Sequence, residues 1–154
     1  MTDLRRTILV IEDDPLNREL FEAVLDAAGY SVITTGDART GIEVAKLRRP
    51  DAVLMDIQLP EMDGLEATRI LRADSDTAAI PVIAVTAHAK KEDEEHCLAA
   101  GCALHLPKPV DTRALPGIVA RIIDQARAGR SRNDSPASSE STAPAKLTTT
   151  VKSS

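Results

Sequence analysis

At 154 residues the chain is about one domain long, and its 43% hydrophobic content is enough to fill one ordinary core. A net charge of -5, with Phe21 and Tyr30 as the aromatic residues, argues against a nucleic-acid surface built on basic side chains and stacked bases. Cys97 and Cys102 make neither a disulfide framework nor a zinc-ligand pattern, and no stretch approaches the roughly 18 apolar residues of a membrane span, so a soluble, cytoplasmic protein is expected.

In chain order, Thr7 to Ile11 is a short β-branched and aliphatic run that predicts a buried first strand. It ends in Glu12-Asp13-Asp14-Pro15. Pro15 suits the first helical position, which makes Asp14 the N-cap and leaves Glu12 and Asp13 free. Leu16, Leu20, Val24, Leu25 and Ala28 recur at helical spacing, and Gly29 ends that helix. Ser31 to Thr35 predicts a second strand, Gly36-Asp37 a turn, and Ala38, Ile42 and Ala45 a second helix that closes in basic residues before Pro50.

The central run, Asp51 to Asp56, carries four consecutive apolar residues and suits a strand buried on both faces. Pro60 and Asp63-Gly64 then turn the chain away. Leu65 to about Arg72 reads as a short helix with Ala67, Ile70 and Leu71 inward, and 73–79 as a polar loop. Ile80 to Thr86 predicts a fourth strand with Pro81 near its start. The helix from about Lys90 to Ala100 is mostly charged, apolar only toward Cys97 and Ala100, and so is expected to be the least firmly packed. Gly101 caps it, Cys102 to Leu106 is a weak fifth strand, and Pro107-Lys108-Pro109 breaks the chain. A last helix turns Leu115, Ile118, Val119, Ile122, Ile123 and Ala126 to one side. Strands alternating with helices in this way mean an α/β fold, a doubly wound parallel sheet in a three-layer α/β/α sandwich. Residues 1–128 form that domain, and from Gly129 the Ser, Thr, Ala and Pro content predicts a disordered tail over 129–154.

In a parallel sheet the carboxyl ends of the strands meet at one edge, which brings together Glu12, Asp13, Asp56, Thr86 and Lys108. A strand-terminal Asp is common as a turn former, and each of the others has an ordinary structural use. Together they read differently. Converging carboxylates repel unless a hard cation joins them, and Mg2+ takes one or two carboxylates plus water and phosphate oxygens. Lys108 offers a mobile positive charge for a phosphate and Thr86 a hydroxyl donor. The set suits an aspartyl phosphate formed on Asp56.

Ile11-Glu12-Asp13-Asp14, the run Leu54 to Gly64, Val85-Thr86-Ala87 and Lys108-Pro109, in this order and spacing, resemble the receiver domain of bacterial two-component response regulators. The match spans about 6–127 and is most similar to stand-alone receivers of the DivK kind. The resemblance implies a flavodoxin-like or CheY-like sheet of five strands in the order 2-1-3-4-5. It makes Asp56 the phosphoacceptor, carrying a 4-aspartylphosphate, and Asp13 a direct Mg2+ ligand, with the Gln58 carbonyl a further ligand and Glu12 acting through water. Thr86 and Lys108 would bind the phosphoryl oxygens. Thr86 and His105 would form the switch, His105 standing where such receivers usually carry Tyr or Phe. Gln58 and His88 would tune hydrolysis, and Lys108-Pro109 would be a cis peptide.

The implied partners are a histidine kinase or histidine phosphotransfer protein and a downstream protein on the face of the fourth helix, fifth strand and fifth helix, with no direct nucleic acid and no membrane. No enzyme activity is implied beyond assisting its own phosphorylation and dephosphorylation. Three rival functions are weaker. An aspartyl phosphatase of the haloacid dehalogenase type wants an Asp two residues beyond the nucleophile, where this chain has Gln58. A dinucleotide-binding module wants a glycine-rich turn where this chain has Asp13-Asp14-Pro15. A phosphate-relay intermediate would share the same chemistry and lack only a conformational output.

Overall fold

The computed structural model describes residues 5–87 and 90–133, with side chains described through residue 129. The elements are β1 (Thr7–Ile11), α1 (Pro15–Ala27), β2 (Ser31–Thr35), α2 (Ala38–Arg48), β3 (Ala52–Asp56), α3 (Gly64–Ala73), β4 (Val82–Thr86), α4 (Lys91–Ala100), β5 (Leu104–Pro107) and α5 (Leu115–Asn133). The strands form one parallel sheet in the order β2-β1-β3-β4-β5, as the resemblance implies. Ile11 lies beside Met55, Asp56 beside Val85 and Thr86 beside Pro107, so the carboxyl ends share one edge.

Alternation along each strand divides the core into two layers. Leu9, Ile11, Val53, Met55, Val82 and Ala84 pack with Ala38, Ile42, Ala67, Leu71 and Cys97 from α2, α3 and α4. Ile8, Val10, Leu54, Ile83 and Val85 pack with Phe21, Leu25, Leu115, Val119 and Ile122 from α1 and α5. β3 is buried at every residue, which explains its unbroken apolar run. Gly41 and Gly64 stand where α2 and the start of α3 leave no space for a side chain. A Cβ on Gly41 would lie 2.3 Å from Ile11 Cδ1, and one on Gly64 would lie 2.6 Å from the Asp56 carbonyl oxygen.

The structure departs from the sequence reading in four places. α1 buries Phe21 and Leu25, while Leu16 is 76% exposed and Leu20 47% exposed. The helix carries two apolar stripes one residue out of phase, and the stripe holding the aromatic ring removes more apolar surface from water. β5 starts at Leu104 because the preceding residues close α4: Gly101, at φ 108, donates its N–H to Leu98 O at 3.0 Å, and the Cys102 N–H goes to Cys97 O at 3.0 Å. That is the paired bonding of a Schellman motif. The polar loop before β4 hides Thr77, which is fully buried and donates its hydroxyl to Leu71 O at 2.6 Å. Finally, α5 is helical through Gly129 to Asn133. Residues 134–154 lie outside the described residues, and so does the disorder expected of them.

The chain divides after Ile123 into two units, the first carrying the whole sheet. Among the described residues no helix is long and apolar enough to cross a membrane.

Candidate functional site

β1 delivers Glu12 and Asp13 to the carboxyl edge. The Glu12 N–H extends the ladder by donating to Thr35 O at 3.0 Å, and Asp14 caps α1 by accepting from the Leu16 N–H at 3.0 Å. Glu12 is turned in and only 1% exposed, whereas Asp13 is exposed. The Glu12 Oε2 atom accepts the Asp14 N–H at 3.1 Å. Its Oε1 atom is buried without a hydrogen-bond partner among the described residues, although Lys108 Nζ lies 3.5 Å away.

β3 delivers Asp56, which is 4% exposed. Asp56 Oδ1 accepts the Gln58 N–H at 2.9 Å, and Oδ2 faces Lys108 Nζ at a long 3.4 Å. Gly64 holds the loop beyond it in place, donating its N–H to Ile57 O at 2.9 Å. β4 ends in Thr86, also buried, whose carbonyl accepts the Lys108 N–H at 2.7 Å. That bond fixes where Lys108 leaves the sheet. The Lys108-Pro109 peptide is cis.

The carboxylates converge closely. Glu12, Asp13 and Asp56 each offer an oxygen, and the three atoms lie within 4.8 Å of one another, an arrangement that could hold a metal ion. One ammonium, Lys108, is shared between Glu12 and Asp56. Burial pushes the Glu12 carboxyl up to about 7; the Asp14 N–H opposes this, and the nearby Asp56 adds to it. The crowding is therefore only partly relieved by the protein itself. Beside Lys108 a cavity of about 320 Å3 opens, lined by Asn17, Leu20, Phe21, Ala87, Pro109 and Val110 as well as Lys108.

Five of the sequence-predicted residues, Glu12, Asp13, Asp56, Thr86 and Lys108, thus share the crevice. Gln58 touches it through its backbone N–H. His105 sits one strand further out beside Ala84, with its Nε2 buried and without a hydrogen-bond partner among the described residues. His88 lies outside the described residues. Sequence reading did not single out Arg18, whose guanidinium reaches the crevice loop; the available signal was a basic residue one turn into the helix that Asp14 caps.

The sequence matches the response regulator receiver domain over residues 8–120. It is 44% identical over 105 residues to the polar-differentiation response regulator DivK of Brucella anthropi, covering 68% of this chain and 85% of that one. The DivK of Brucella ovis is 42% identical over 107 residues, covering 70% and 87%. Among solved structures, the receiver domain of a sensor histidine kinase from Pseudomonas aeruginosa, with a magnesium ion coordinated in its active-site cleft, is 40% identical with a TM-score of 0.73, covering 78% of this chain and 98% of that one. The chemotaxis response regulator CheY4 of Vibrio cholerae is 26% identical with a TM-score of 0.73, covering 77% and 98%. With this sheet order, this acidic edge and these relatives, the chain belongs to the response regulator receiver domain family and is a CheY-like receiver of the DivK kind.

Proposed function

We propose that this receiver accepts a phosphoryl group on Asp56 from a phosphohistidine of a histidine kinase or phosphotransfer protein, with Mg2+ bound, and passes the event to a protein partner. The observation that carries the reading is the convergence of Glu12, Asp13 and Asp56 within 4.8 Å, with Lys108 shared between Glu12 and Asp56. The donor set suits Mg2+, a hard cation that takes carboxylate oxygen. The buried Glu12 Oε1, without a hydrogen-bond partner among the described residues, is the kind of atom that a cation or its water would satisfy. In this reading Asp13, Asp56 and the Gln58 carbonyl would hold the ion, and Glu12 would act through water. The ion supplies charge neutralisation for the incoming phosphoryl oxygens.

The chain's own residues do the rest. An Asp56 oxygen forms the new P–O bond as the donor's P–N bond breaks, and the imidazole leaves with the electron pair. The Gln58 N–H holds Asp56 in place for this step. Lys108 is already beside Asp56 and moves with the phosphoryl oxygens, while Thr86 donates its hydroxyl to them. Water later returns the carboxylate and inorganic phosphate, at a rate that Gln58 and His88 tune.

Drawing Thr86 toward the phosphoryl group frees space for His105 to turn inward, and partners read the change on α4, β5 and α5. Alternation puts Thr86 and His105 on the same face of the sheet as Ala84, which supports this coupling. Incubation with acetyl phosphate and Mg2+ should add the mass of one phosphoryl group to the intact protein and none to Asp56→Asn. Full labelling of that variant would overturn the assignment.

A further inference from the structure

We infer that Arg18 is a positioning residue for the metal-binding loop, acting on the backbone on either side of Asp13; the inference rests on the function proposed above. Asp13 is the exposed member of the acidic cluster, so its direction is set by the chain that carries it. Arg18 holds that chain at two points. Its backbone N–H donates to Asp14 O at 2.9 Å, and its guanidinium Nη1 donates to Glu12 O at 2.9 Å. The carbonyls before and after Asp13 therefore both end on one residue.

The neighbouring contacts are consistent with a built seat. The Glu12 carbonyl stands beyond the last ladder bond, made by its N–H to Thr35, where β2 ends. A charged donor fills the place, the stronger kind of hydrogen bond. Gly36, just past β2, leaves the room: a Cβ there would stand 3.1 Å from Arg18 Nη1. Without the guanidinium, the Glu12-Asp13 peptide could rotate and swing Asp13 away from Glu12 and Asp56. The bonds that Arg18 makes run to backbone carbonyls and not to a carboxylate of the cluster, so its loss should weaken metal binding rather than the transfer step.

The test is isothermal titration of the full chain with MgCl2, together with the Mg2+ dependence of phosphorylation by acetyl phosphate. Arg18→Ala should raise the Mg2+ dissociation constant about tenfold, the lower end of what loss of a supporting contact costs a metal site. Its phosphorylation rate at saturating Mg2+ should match the parent. Arg18→Lys, which keeps one charged donor for the carbonyl, should recover part of the affinity. A parent that binds no Mg2+ overturns the proposed function itself. A parent that binds, with Arg18→Ala binding equally well, overturns only the role of Arg18, as does an equal fall in rate at every Mg2+ concentration.

Discussion

α3 and α4 are both ten residues long and both come after a strand that feeds the crevice, yet they are held very differently. α3 buries Gly64, Ala67, Thr68 and Leu71, and Asp63 caps it by accepting the Leu65 N–H at 2.7 Å. Thr68 adds an internal tie, its hydroxyl donating to Gly64 O at 2.8 Å. α4 buries only Cys97 and Ala100, and the Lys90 side chain at its N-cap supplies no capping hydrogen bond. Three acids in the first turn favour the helix dipole but contribute no packing. The helix beside Asp56 is thus anchored to the core, while the helix beyond Thr86 is anchored at its far end. With fewer buried contacts and no capping bond, α4 is expected to open locally at a lower free energy than α3.

The largest effect should come from tightening the anchored side further. Gly64→Ala sets a Cβ against the Asp56 carbonyl oxygen and Ile57 Cα, both backbone atoms that cannot step aside. A loss of about 1–3 kcal/mol in denaturant unfolding is expected, from overpacking. An unchanged midpoint would mean that α3 is not held as closely as described.

The next effect concerns the crowded carboxylates at the anchored end. Glu12 is raised to about 7 from 4.5, so between those values the folded chain keeps a proton that the unfolded chain has lost. Its contribution to stability is fully present below about pH 4.5 and is lost as the pH rises through about 7. Glu12→Gln, which cannot lose a proton, should therefore gain in Tm relative to the parent between about pH 5 and about pH 8. A difference in Tm independent of pH would contradict the burial of a strained carboxyl at this site.

Capping gives the smallest and most direct contrast. Asp63→Ala should cost about 1 kcal/mol, the usual loss of an N-cap. Lys90→Ala, which removes no capping bond, should be near neutral, and Lys90→Ser should stabilise by about 0.5–1 kcal/mol by supplying a cap. Equal costs for Asp63→Ala and Lys90→Ala would erase the distinction between the helices.

The anchored side was the more legible one from sequence. The continuous apolar run of β3, the Asp14-Pro15 start and the turn at Asp63-Gly64 each have one good structural solution; crevice membership followed from the strand ends, and strand order from the family resemblance alone. The phase of α1 did not, because Leu16 and Leu20 offer a stripe as regular as Phe21 and Leu25, and only tertiary packing chooses between them. Thr77 was hidden for a related reason: a polar residue in a polar loop gives no sign that its hydroxyl will meet a helix carbonyl. Arg18 was missed because its partner is a backbone oxygen, which leaves no mark in side-chain pattern.

Amide hydrogen exchange, measured along the chain with and without acetyl phosphate and Mg2+, tests the contrast most directly. α3 should be strongly protected in both conditions, and α4 should exchange faster than α3 without phosphate and change its protection when Asp56 is phosphorylated. Equal protection of the two helices, with no change in α4 on full phosphorylation, would contradict the division into an anchored site and a movable output.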